Sequence, residues 1–158
     1  MYLSSLLLIQ FLLRLHEYMT SLSPLALQIP WRQSGKIFST SGLVTIATAR
    51  LTDPTSVASK VFAAIASNND TVDHDVIIGI TDSNNLFTAL GTVTVPTNAG
   101  YVGTKPSVNL FVGIPAIPLD ETGQPYVILN STDVLQVKAV IALTGTHDID
   151  IMCFGADF

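Results

Sequence analysis

From Gly35 onward the chain is a series of apolar runs four to ten residues long, each closed by Gly, Asn, Asp or Pro. Runs of that length suit strands better than the helices of an α-domain. They cover residues 43–51 (LVTIATARL), 60–66, 76–81, 87–95, 107–114, 126–129, 134–143 and 148–154. In the first, Leu43, Thr45, Ala47 and Ala49 alternate with Val44, Ile46, Thr48 and Arg50, and Asp53-Pro54 ends the pattern. Residues 60–66 (KVFAAIA) are ambiguous, since Val57, Val61 and Ile65 have helical spacing. The alternation of Val61, Ala63 and Ile65, and the loop sequence SNND after it, predict a strand. Residues 82–85 (DSNN) and 144–147 (TGTH) read as hairpin turns, and residues 98–106 as a longer loop between sheets. About eight strands at intervals of roughly a dozen residues predict a β-sandwich or small barrel.

Composition agrees. The 158 residues are enough for one domain with a core of ordinary size. Only 12% are charged against 48% hydrophobic, about half the usual charged share of roughly 25%. Amphipathic helices need charged faces, so Thr, Ser and Asn must cover the outer faces of strands instead. So few charges also suggest a surface partly covered by partners. The net charge of −5 argues against binding nucleic-acid phosphates. One cysteine, Cys153, allows neither an intrachain disulfide nor a cysteine-based zinc site. Its place in residues 149–154 predicts a buried small hydrophobe rather than a reactive thiol.

The N-terminus departs from the strand pattern. Residues 3–13 form an apolar run too short to cross a bilayer as a helix. No Lys or Arg precedes it, Arg14 follows it, and no small-x-small cleavage site is close, so it does not match a secretory signal. An apolar arm docking on a partner, an upstream extension ahead of Met19, and an uncleaved anchor all remain open, with the arm preferred. Its partner-binding side chains would be Leu6, Leu7, Phe11 and Leu12, together with Trp31, where the folded part begins. Residues 21–30 (SLSPLALQIP) read as an extended linker, because Pro24 and Pro30 exclude a helix. The expectation is an all-β chain: a single antiparallel β-sandwich, jelly-roll-like, of about eight strands, with an N-terminal hydrophobic arm. Residues 1–34 are arm and linker, and residues 35–158 the sandwich.

Candidate chemistry is sparse. Asp120 and Glu121 in PLDETGQPYVIL lack the alternate acidic spacing of a calcium loop, and Asp120 with Gly123 fits a hairpin turn. Residues 68–75 (NNDTVDHD) group Asp70, Asp73 and Asp75 around His74, a weak metal candidate beside the plainer reading of a solvated loop. Asp148 and Asp150 share a strand face turned to solvent or an interface. Serines and three histidines are present, but neither a nucleophile elbow nor a phosphate-binding glycine loop frames them. No catalytic constellation and no cofactor motif emerges.

One resemblance runs through residues 60–158. The segments SKVFAAIASNNDTVDHDVIIGITD, LGTVTVPTNAGYVGTKPSVNL, IPLDETGQPYVILNSTDVLQVKAVIAL and IDIMCFGADF occur in an order similar to the capsid decoration, or cement, proteins of tailed bacteriophages. These are strand and hairpin signatures, not active-site motifs. The resemblance implies a structural, non-enzymatic virion protein, commonly a homotrimer, on the outer capsid surface. Its partner would be the major capsid protein, with neither nucleic acid nor membrane bound. The other class in play is a receptor- or carbohydrate-binding β-sandwich of a phage tail or fibre. It would gather exposed aromatics, of which Trp31, Tyr101 and Tyr126 are the candidates.

Overall fold

Inward and outward side chains alternate along much of these runs, so two sheets can share one core, and nine strands form among the described residues. The computed structural model describes residues 29–38, 42–49 and 57–158, and Leu6, Leu7, Phe11 and Leu12 lie outside them. The strands are β1 (Ile29–Ile37), β2 (Val44–Thr48), β3 (Ala58–Asn68), β4 (His74–Thr81), β5 (Phe87–Val95), β6 (Val108–Asn109), β7 (Val127–Asn130), β8 (Val134–Ala139) and β9 (Ile149–Asp157). Sheet A runs β1-β9-β3-β6, with β7 also paired to β3, and sheet B runs β2-β8-β4-β5. Every pairing is antiparallel.

The pairs are nested. β4 meets β5, β3 meets β6 and β7, β2 meets β8, and β1 meets β9, alternating between the sheets. A long antiparallel ribbon folded over itself gives that order, which is a jelly roll. Ile37, Val61, Ala64, Ile149, Ile151 and Cys153 of sheet A pack against Ile46, Val76, Ile78, Leu135 and Val137 of sheet B, all buried. Each such aliphatic side chain stabilises the fold by about 1.5–3 kcal/mol when fully buried.

Several sequence expectations need correction. β1 begins at Ile29, so residues 29–34, assigned to the linker, are strand. Pro30 is tolerated because β1 is an edge of sheet A. Residues 144–147 are not a hairpin turn, since β8 lies in sheet B and β9 in sheet A. Residues 107–114 give only the short β6, because the Asn109 side chain accepts from the backbone of Phe111 at 3.1 Å and ends the strand. Register shifts at Thr45/Ala47, Val61/Ala63 and Ile78/Gly79 break the simple alternation. The second moves burial from Val61 to Ala64 and Ala66, leaving Ala63 and Ile65 outside the core. The strand at residues 60–66, the turn at 82–85 and the sheet-to-sheet loop at 98–106 form as expected.

Trp31 and Gly155 face each other in the β1–β9 register. A Cβ on Gly155 would stand 2.3 Å from the Trp31 ring and 2.6 Å from the Lys60 carbonyl oxygen. We expect Gly155→Ala to lower stability by about 1–3 kcal/mol in urea unfolding. Gly42→Ala, with nothing within 4 Å of its added methyl, should serve as the silent control.

Candidate interaction surface

The outer faces of the two sheets differ in chemistry. On sheet B, alternate residues of β8 and its neighbours present Thr45, Thr81, Gln136 and Lys138. The Thr81 hydroxyl donates to the Gln136 side chain, whose amide donates to the Thr45 hydroxyl at 3.1 Å. At the β5 edge the Thr94 hydroxyl donates to Asp75 at 2.5 Å. Ile77, Phe87 and Val134 share this face, so hydroxyl and amide groups alternate there with apolar ones.

Sheet A has an apolar stripe. The β9 residues that point away from the core include Met152 and Phe154, 39% and 40% exposed. Ile65 of β3 pairs with Met152, and Ala63 with Phe154. A groove of about 760 Å³ follows this stripe, lined by Ser34, Lys36, Ile65, Asp150, Met152 and Phe154 among others. One end is ionic. There Lys36 Nζ lies 2.9 Å from Asp148 and 3.0 Å from Asp150, and the Tyr101 hydroxyl donates to Asp150 at 2.7 Å. The Asp148 and Asp150 hydrogen bonds hold the Lys36 ammonium above its usual range. The Asp150 carboxylate, accepting from the Tyr101 hydroxyl, pushes the phenol up to about 12. Away from the groove, Lys60 Nζ lies 4.3 Å above the Tyr126 ring and 3.6 Å from Asp120.

The acidic candidates each have structural work. Asp70 is fully buried where three loops meet. It accepts from His74 Nε2 at 2.8 Å, from the Thr71 backbone at 2.6 Å, from the Thr144 backbone at 2.7 Å and from the Thr144 hydroxyl. Burial pushes its carboxyl up, but the bonds from Thr144, His74 and Thr71 overcome that and hold it below the ordinary range. Asp73 accepts from the Thr97 backbone at 2.8 Å, and the Thr97 hydroxyl donates to the Asp70 carbonyl at 2.7 Å. Asp70, Asp73 and Asp75 therefore point to three destinations, and no three metal-ligating side chains converge among the described residues. Residues 69–73, 96–99 and 140–148 are fastened together by these bonds and by Asn69, which exchanges two hydrogen bonds with Asp148.

Asp120 makes the hairpin turn expected of it. Its carboxylate accepts from the Thr122 hydroxyl at 2.7 Å and from the Gln124 backbone at 3.0 Å, which hold it at about 2. Gly123 has φ +79°, the left-handed conformation that glycine adopts without strain. Cys153 is buried, and burial pushes its thiol up to about 12.

Trp31, offered as a partner-binding residue, is in the chain's own interior at 7% exposure, and its Nε1 donates to Asp157 at 2.8 Å. Its indole is large and apolar, and in an inward position of β1 the core is where it loses most water contact. The aromatics of the glycan reading do not assemble, since Trp31 is buried, Tyr101 adjoins Asp150, and the Tyr126 ring carries Lys60. The groove was missed in sequence because the bulge in β3 is what turns Ile65 outward beside Met152.

No family model matches the chain, and no curated protein matches it in sequence. Among solved structures, the cyanophage Pam1 capsid asymmetric unit is similar at 10% identity and TM-score 0.41, over 82% of this chain and 85% of that chain. The extra small virus (XSV) VLP of the giant freshwater prawn Macrobrachium rosenbergii is similar at 10% identity and TM-score 0.32, over 85% of this chain and 84% of that chain. At these values the likenesses add nothing to what the strand order and the residues themselves establish.

Replacing Asp70 by Ala takes the acceptor from four donors, on His74, Thr71 and Thr144, and should cost about 3 kcal/mol in denaturant unfolding. Because the folded carboxyl ionises more readily than the unfolded one, Asp70 stabilises the fold above the ordinary carboxylate range, and that contribution is lost as pH falls below about 4. Asp70→Asn should therefore be less stable than the parent at neutral pH and show a flatter loss of stability on acidification. The Cys153 thiol should react with a thiol reagent only after the chain is unfolded.

Proposed function

We propose that this chain is a structural virion protein, a capsid decoration or cement protein that binds the outer surface of a phage head. Its partners are the major capsid protein and further copies of itself, with a homotrimer as the working state. The observation that carries the reading is the apolar groove on sheet A, with the Lys36–Asp148–Asp150 cluster at one end. A face of that kind is stabilised when another protein surface removes it from water, and its charged end fixes the orientation of the contact. The jelly roll itself serves shells and lectins alike, so the fold does not choose between them. The choice rests on the groove, on the low charge, and on carboxylates committed to holding loops.

No chemistry is required for such a role. A protein that binds the assembled shell and not its free subunits shifts the assembly equilibrium by mass action, and repeated copies multiply the effect. The net charge of −5 fits contact with protein rather than with packaged nucleic acid.

Particles banded on a density gradient should contain this chain in a fixed, near-stoichiometric ratio to the main coat protein. A few copies per particle, or none, would overturn the cement reading and redirect the search to tail attachment.

A further inference from the structure

The groove on sheet A is an exposed apolar feature of the described surface, and residues 3–13 are an apolar run in the sequence ahead of it. The first described residue, Ile29, opens β1, the edge strand of the sheet that carries the groove. β1 runs from Ile29 toward Lys36, and the groove is lined from Ser34 to Lys36, at the far end of that strand. Pro24 and Pro30 restrict the approach to Ile29 to extended conformations. Residues 14–28 span up to about 50 Å when extended, whereas a domain of this size has a radius of gyration of about 14 Å. A neighbouring copy is within that reach.

We propose that the groove lined by Ile65, Met152 and Phe154 receives the apolar run of residues 3–13 from a second copy of the chain, with Leu6, Leu7, Phe11 and Leu12 as its anchors. The run supplies aliphatic and aromatic side chains to an apolar floor. Arg14, directly after the run, and Glu17, three residues further on, supply charges to pair with the Asp148–Lys36–Asp150 cluster at the groove's end. Exchange of arms makes each copy both donor and receiver, so copies are linked without any change to the sandwich. The inference rests on the reading of this face as a protein-docking surface and names the protein that docks there.

Disulfide trapping in the full chain tests it. A Leu7→Cys chain and a size-tagged Met152→Cys chain are mixed under mild oxidation, with Thr92→Cys, exposed on sheet B, as the control acceptor and Phe154→Cys as a second groove position. The expected result is a mixed covalent dimer formed several-fold more with Met152→Cys and Phe154→Cys than with Thr92→Cys, and reduced by Ile65→Asp in the acceptor. Equal trapping at all three positions overturns the proposal. So does a Leu7→Cys/Met152→Cys double variant that closes only within one chain, or a groove that pairs with the groove of another copy instead of with Leu7. Particle banding is a separate readout: a chain absent from particles that still traps at Met152 retains arm exchange and loses the capsid reading, and the converse result does the reverse.

Discussion

Sheet A depends on β9 being hydrogen-bonded along both edges, to β1 on one side and β3 on the other, over nearly its whole length. An interior strand must be apolar on the side that faces the core, and Ile149, Ile151 and Cys153 meet that demand. Its other side is free to be anything the surroundings tolerate. Here it is Asp150, Met152 and Phe154, so the strand that organises the sheet also supplies the centre of the groove. Stability and recognition are two sides of one strand.

The loops at one end of the sandwich follow from a second constraint. A jelly roll brings the β3–β4, β5–β6 and β8–β9 connections together, and their backbone groups need partners once they are packed away from water. Asp70, Asn69, Asp73 and Asp148 provide them. The acidic cluster that suggests a cation in the sequence instead serves the amides of neighbouring loops. A carboxylate held by several donors is a fastening that changes little between contexts, and it lets the far end of the groove keep its Lys36–Asp150–Tyr101 geometry.

Much of this was legible in the sequence, and the exceptions share a cause. β4, β5, β8 and β9 follow from alternation and from turn residues that stop them, and the Asp120 turn follows from Gly123. β1 was hidden by Pro30 and by polar residues such as Arg32 and Ser34, which suit an edge strand but resemble a linker. Residues 107–114 looked like a full strand, although adjacent Leu110 and Phe111, both buried, signal a loop packed into the core rather than an alternating face. The groove depends on which way Ile65 points, and a one-residue bulge at Val61/Ala63 decides that. Bulges leave little trace in composition or period, since they add one residue of ordinary type. Nothing in a single sequence shows that β9 and β3 are neighbours, so Met152 and Ile65 could not be placed together beforehand.

The nesting of β1 with β9 has a consequence for synthesis. Among the described strands β1 leaves the ribosome first, and its ladder cannot form until β9 has emerged more than a hundred residues later. The β4–β5 hairpin can close early, since only a short turn separates its strands, but sheet A must wait until β9 has been delivered. Contacts of such long sequence separation are slow to form. Until then the unpaired apolar edge of β3 is open to other nascent chains. In a cell making many copies at once, the interval between translation and closure is when crowding on a polysome is most hazardous, and holding chaperones would have the most to do.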